Sequence, residues 1–169
     1  MKALLRAYDR LISGLAVLSG LIIAAVCLVI VYDVIARNLG MQPPASTVAL
    51  TEYALLYFTM FASPWLVRTR GHIVVDVIHS KLKGTAKVLV DKFILLLCLL
   101  VSGVIAVLAL LLMTEALQRG EVEIRSMEVP RALLFAPLTI GFGLMAMEFL
   151  LLALKGEAVT DANLQRESL

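Results

Sequence analysis

Residues 11–32 read LISGLAVLSGLIIAAVCLVIVY, and no charged side chain interrupts them. As a helix these 22 residues rise about 33 Å at 1.5 Å per residue. A hydrocarbon core is about 30 Å thick, so the run is long enough to cross one. It is too long for the apolar segment of a cleaved secretory leader, about 7–15 residues, although Lys2, Arg6 and Arg10 precede it as a basic flank. No small-x-small cleavage site followed by a soluble domain comes after it. The stretch predicts a retained transmembrane helix.

Three further runs read the same way. Tyr53 to Leu66 extends back through Val48 if Glu52 is accepted at the boundary, Phe93 to Thr114 is the most apolar, and Ala132 to Leu154 is interrupted only by Glu148. The expected spans are residues 11–35, 48–67, 91–114 and 131–154, inside one membrane domain covering 1–169. Composition agrees. Of the 169 residues 61% are hydrophobic, against about 45–50% in soluble domains. Lipid offers backbone amides no partner, and the runs lack the alternating polarity of barrel strands, so helices are the remaining option. The expected fold is an all-α integral membrane protein of four transmembrane helices.

Orientation follows from the basic residues. The N-terminus, the segment 68–92 and the C-terminus together hold 11 of the 15 Lys and Arg; Arg37, Arg119, Arg125 and Arg131 make up the rest. The positive-inside rule then predicts cytoplasmic termini, with the loops near 36–47 and 115–131 outside. From His72 to Lys92, apolar residues recur at roughly helical spacing among lysines. That pattern fits an amphipathic helix on the membrane surface, and equally a cytosolic extension of the third span.

In lipid, helices associate through small residues and polar contacts. Ser13, Ala16, Gly20, Ala24 and Cys27 share one face of the first span; Ala132, Ala136, Thr139, Gly143 and Ala146 do so on the fourth. These stripes predict packing with each other or with another protein. Cys27 and Cys98, both inside apolar runs, read as packing residues. The third span, with Ser102 and Gly103 its main breaks, is expected to face lipid widely. Glu52, Thr59, Ser63 and Arg70 fall near one line of the second span. They read as a polar seam against neighbouring helices in preference to a substrate or proton path. Pro64 frees the carbonyl of Met60 and predicts a kink. Arg37 can pair with Glu52 or with Asp33, four residues before it. Glu148 reads as a boundary carboxylate that snorkels to the nearby polar end.

Catalytic signatures are missing. The two histidines, His72 and His79, lie about 10 Å apart on one helix, too far to share a metal. No P-loop, Gly-x-Ser-x-Gly or dense carboxylate cluster occurs. No enzyme activity, cofactor, metal or nucleic-acid partner is expected.

A set of local features points further: Asp33-x-x-x-Arg37 ending the first span, Glu52 opening the second, Trp65, and Arg-Thr-Arg-Gly-His-Ile-Val-Val-Asp from Arg68 to Asp76. Pro130, Pro137 and Gly141 follow around the fourth span. From about residue 8 to residue 154 the chain resembles the small permease subunit of tripartite ATP-independent periplasmic (TRAP) transporters, the DctQ type, in the bacterial inner membrane. The resemblance implies a non-catalytic subunit that scaffolds a large multi-span permease. A periplasmic binding protein would deliver an organic anion, such as a carboxylate, and sodium coupling would reside in the large subunit. It implies structural roles for Gly71, His72 and Asp76 after the second span, and interface roles for Arg37, Glu52, Thr59, Ser63, Trp65 and Arg70. The short tail ending at Leu169 argues against a fusion to the large subunit within this chain. Two other readings stay open: a stand-alone proton-coupled exporter using Glu52, and a membrane anchor of a redox complex.

Overall fold

A computed structural model describes residues 2–42, 46–69, 85–124 and 128–155. Among them are four helices and one short ribbon: α1 Lys2–Asn38, α2 Ser46–Arg68, α3 Thr85–Arg119, β1 Val122–Ile124, β2 Glu128–Pro130 and α4 Ala132–Lys155. Each helix coincides with one of the expected spans, α4 beginning one residue after the start of its own. The helices α1 and α3, at 37 and 35 residues, outrun theirs by several turns. Both then stop in the same way. Gly40 (φ 78°) and Gly120 (φ 61°) adopt the left-handed conformation that glycine reaches without strain. Met41 N–H donates to Ala36 O at 3.0 Å and Glu121 N–H to Ala116 O at 3.1 Å, which satisfies carbonyls of the last turn.

The extensive helix contacts are α1 with α2, α2 with α4, and α4 with α3. The helices therefore stand in a row, α1–α2–α4–α3, rather than around a common axis. On α1 the buried positions Ile12, Ser19 and Val26 recur every seven residues, the spacing of a coiled-coil seam. A core cluster of Val67, Leu95, Phe149 and Leu152 joins α2, α3 and α4. It lies at the end of the row that carries the N-terminus of α1 and the C-terminus of α4, here the terminal end.

The helices α1, α3 and α4 are long and apolar enough to cross a membrane. Only 11% of the most apolar stretch of α1, and of α3, is buried within the chain. The helix α2 is long enough, at 23 residues, but Glu52, Pro64, Trp65 and its hydroxyl residues dilute its apolarity. It occupies an inner place in the row, between α1 and α4.

One expectation about the connecting segments changes. The region 115–131 is not a plain loop, because α3 continues to Arg119 and the chain then forms an antiparallel ribbon. Its register pairs Val122 with Pro130, Glu123 with Val129 and Ile124 with Glu128. So the all-α expectation holds for the body of the protein, and the opposite end, here the ribbon end, carries two short strands. The supposed surface helix from His72 falls in 70–84, outside the described residues; its last part, from Thr85, is the start of α3.

Candidate functional site

Among the described residues the polar chemistry of the row concentrates in three places: the α2–α4 seam, a charged cluster at the terminal end, and a cleft at the ribbon end.

The seam is built on two prolines. Proline has no N–H, so Pro64 cannot bond Met60 O and Pro137 cannot bond Leu133 O. Both rings are fully buried. Each freed carbonyl meets the other helix. Leu133 O accepts a hydrogen bond of 2.8 Å from the Tyr57 hydroxyl of α2. Met60 O lies over Gly141 of α4, so closely that a Cβ there would sit 2.7 Å from the oxygen and 2.9 Å from Met60 Cβ. Only a glycine allows this approach. The Tyr57 ring also meets Phe61 edge to face, with centroids 5.6 Å apart. Tyr57→Phe is expected to lower stability by about 1 kcal/mol, the usual net worth of one hydrogen bond. The measurement is the unfolding midpoint in detergent; an unchanged midpoint would show that water or lipid already serves Leu133 O.

At the terminal end, Arg68 of α2 pairs with Asp9 of α1. Glu148 of α4 lies near the same guanidinium and adjoins Tyr8 of α1. Partial burial works against the Arg68 charge; the Asp9 hydrogen bond and the nearby carboxylates outweigh it, and its pKa lies above the ordinary arginine value. Glu148 is only 5% exposed. It does not snorkel to the boundary as its sequence position suggests; it is buried where three helices converge. Asp9 and Tyr8 were not singled out by the sequence, and Arg68 only as the first residue of the stretch Arg68 to Asp76. A lone carboxylate in a basic flank, and another in an apolar run, were the available signals.

At the ribbon end, Arg131 donates to Glu121 at 2.8 Å, with its Nε 3.4 Å from Glu123. Arg131 N–H also donates to Glu121 O at 3.0 Å, so side chain and backbone both pin β1 over the start of α4. Arg119 bonds Glu115 at 2.6 Å. Beneath the ribbon lies a cleft of about 330 Å³, lined by Glu52, Tyr53 and Leu56 of α2, Glu123 of β1, and Arg131, Leu134, Phe135 and Leu138 around α4.

Of the residues singled out from the sequence, the structure pairs Arg37 with Asp33 at 2.8 Å, which decides between its two candidate partners. Glu52 reaches the cleft. Thr59 and Ser63 each donate to a carbonyl one turn earlier on α2, Leu55 O and Thr59 O, both at 2.6 Å. Their hydroxyl protons are thus taken up by α2 itself, and no bond from either to another helix occurs among the described residues. Trp65 is 43% exposed. Arg70, Gly71, His72 and Asp76 lie outside the described residues.

The small-residue stripes do not meet each other. Gly20 and Ala24 are exposed on α1, away from α2. Ala136 and Gly143 are half-buried on α4, and nothing lies within 4 Å of where a Cβ on Gly143 would be. The close approach belongs to Gly141 instead. Cys27 is exposed and Cys98 packs beside the core cluster.

Among known protein families, the model for "Tripartite ATP-independent periplasmic transporters, DctQ component" matches residues 26–157, well over half of the chain. No curated protein and no solved structure matches.

Proposed function

We propose, from the premise that this chain belongs to the DctQ family of tripartite ATP-independent periplasmic transporters, that it is the scaffold on which the large permease subunit is held. It is a multi-pass membrane component of a transporter and not an enzyme. In this reading the large subunit moves an organic anion, delivered by a periplasmic binding protein and coupled to sodium, while this chain holds no substrate or ion site.

The observation that carries the reading is the open row. A translocation path needs walls on all sides, and a single layer of four helices provides none. It does offer broad apolar faces: α1 and α3, at its edges, have only 11% of their most apolar stretches buried within the chain. In a membrane such faces meet lipid or another protein, and a small-residue stripe such as Gly20 and Ala24 suits a helix partner. The α2 helix, held between α1 and α4, acts as the fourth span. Both termini then lie on one side, and the basic flanks support a cytoplasmic one in the bacterial inner membrane. The ribbon end faces the periplasm.

The exporter alternative assigns proton coupling to Glu52. Its place in an open cleft at one end of the row favours a boundary role. A redox anchor would need histidines within the spans, and both lie in 70–84.

Co-purification of the tagged chain from its native membrane, with mass spectrometry of what stays bound, tests the scaffold. A large multi-span permease in a stoichiometric amount is the expected result. A chain recovered alone or as a homo-oligomer would overturn it. Glu52→Gln separates the readings further: reduced recovery of the permease is expected here, whereas lost transport with assembly intact would favour the exporter.

A further inference from the structure

The ribbon-end cleft grades from charged to apolar along the helix axes. Its polar groups, Glu52, Glu123 and Arg131, stand at the mouth, and Leu56, Leu134, Phe135 and Leu138 form the floor. Arg131 to Leu138 spans about two helical turns, or about 10 Å. With α2 read as a span, as in the scaffold proposal on which this inference rests, the gradient runs along the membrane normal and begins at the headgroup layer. A polar solute gains nothing from the floor, and a bare hydrocarbon chain gains nothing from the mouth. An amphiphile matches both.

The mouth also selects the head. It presents two carboxylates and one guanidinium, so a headgroup carrying both signs is matched better than one carrying negative charge alone. Arg131 uses Nη1 and Nε on Glu121 and Glu123. A guanidinium has five N–H donors, so that engagement fixes its position without exhausting it. The Tyr53 side chain lines the same cleft between Glu52 and Leu56.

We propose that this cleft binds a zwitterionic aminophospholipid, its ammonium at Glu52 and Glu123, its phosphate at Arg131, and an acyl chain on the Leu–Phe floor. The headgroup bridges α2, the ribbon and α4, and so ties the ribbon to the seam.

The test is native mass spectrometry of the full chain, delipidated in detergent and reloaded from vesicles of either phosphatidylethanolamine or phosphatidylglycerol. Retention of the ethanolamine lipid is expected to exceed that of the glycerol lipid about tenfold, the factor given by one charge-assisted contact. Glu123→Gln should remove most of that preference while the floor stays intact. Leu138→Trp should reduce retention of both lipids, with every charge in place. Circular dichroism and the unfolding midpoint establish that each variant is folded. Equal retention of the two lipids by the wild type, or a preference unmoved by both variants, would overturn the proposal. So would protection of the cleft from a thiol probe at Leu138→Cys only when the permease is bound, which would make the occupant a protein segment. Recovery of the permease in the same preparations keeps the outcomes apart. Permease without lipid preference sinks the lipid site alone, and lipid preference without permease sinks the scaffold alone.

Discussion

Gly141→Ala is expected to lower the unfolding midpoint in detergent by the equivalent of about 1–3 kcal/mol, the range for forcing one extra carbon into a packed interior. The added Cβ would meet Met60 O at 2.7 Å and Met60 Cβ at 2.9 Å. A backbone oxygen cannot rotate aside as a long side chain can. Relief requires α2 and α4 to separate, which also stretches the 2.8 Å bond from Tyr57 to Leu133 O. Gly14→Ala and Gly143→Ala are the controls, since nothing lies within 4 Å of a Cβ at either. They should be neutral or slightly stabilising, because alanine favours helix over glycine by up to about 1 kcal/mol. If all three variants behave alike, the close approach of the two helices is wrong.

Arg68→Gln has the second large effect, about 2–3 kcal/mol. That figure lies between the worth of an exposed ion pair, about 0.2–1 kcal/mol, and the cost of stripping one partner from a buried pair, about 3–5 kcal/mol. The Arg68 side chain is 35% exposed and Asp9 is 48% exposed, while Glu148 is buried. The variant leaves two carboxylates without their shared cation at the junction of α1, α2 and α4. Asp9→Asn should cost less than Arg68→Gln, because Arg68 keeps Glu148 nearby. The double variant Arg68→Gln with Glu148→Gln should recover part of the loss by removing the buried negative charge. Additive losses in that double variant would mean that Arg68 and Glu148 do not interact.

Much of the architecture was open to reading from residue types. The uncharged run 11–32 and its three counterparts each became a helix, since lipid leaves the backbone no other way to satisfy its amides. The Asp33–Arg37 pair is a consequence of helical spacing. Pro64 had to free Met60 O, whatever the surroundings. The Arg-Thr-Arg-Gly-His-Ile-Val-Val-Asp stretch pointed to the family, although most of it lies outside the described residues.

The faces were another matter. In a soluble helix the apolar stripe marks the core. In lipid the solvent is as apolar as the core, so the pattern loses that information. Gly20 and Ala24 therefore looked like Ala136 and Gly143, and only the tertiary structure shows that Gly141, outside both stripes, touches a neighbouring backbone. The same blindness hid Glu148. By sequence it is a carboxylate near a helix end; by structure it is buried between Tyr8 and Arg68, residues 140 and 80 positions earlier in the chain. The sequence by itself determined that the chain forms membrane helices, and where a proline releases a carbonyl, because those follow from local chemistry. Tertiary structure alone decided the order α1–α2–α4–α3, the partners of the freed carbonyls and the burial of the terminal-end charges, because each depends on groups distant in the chain meeting in a medium that makes every apolar face equivalent.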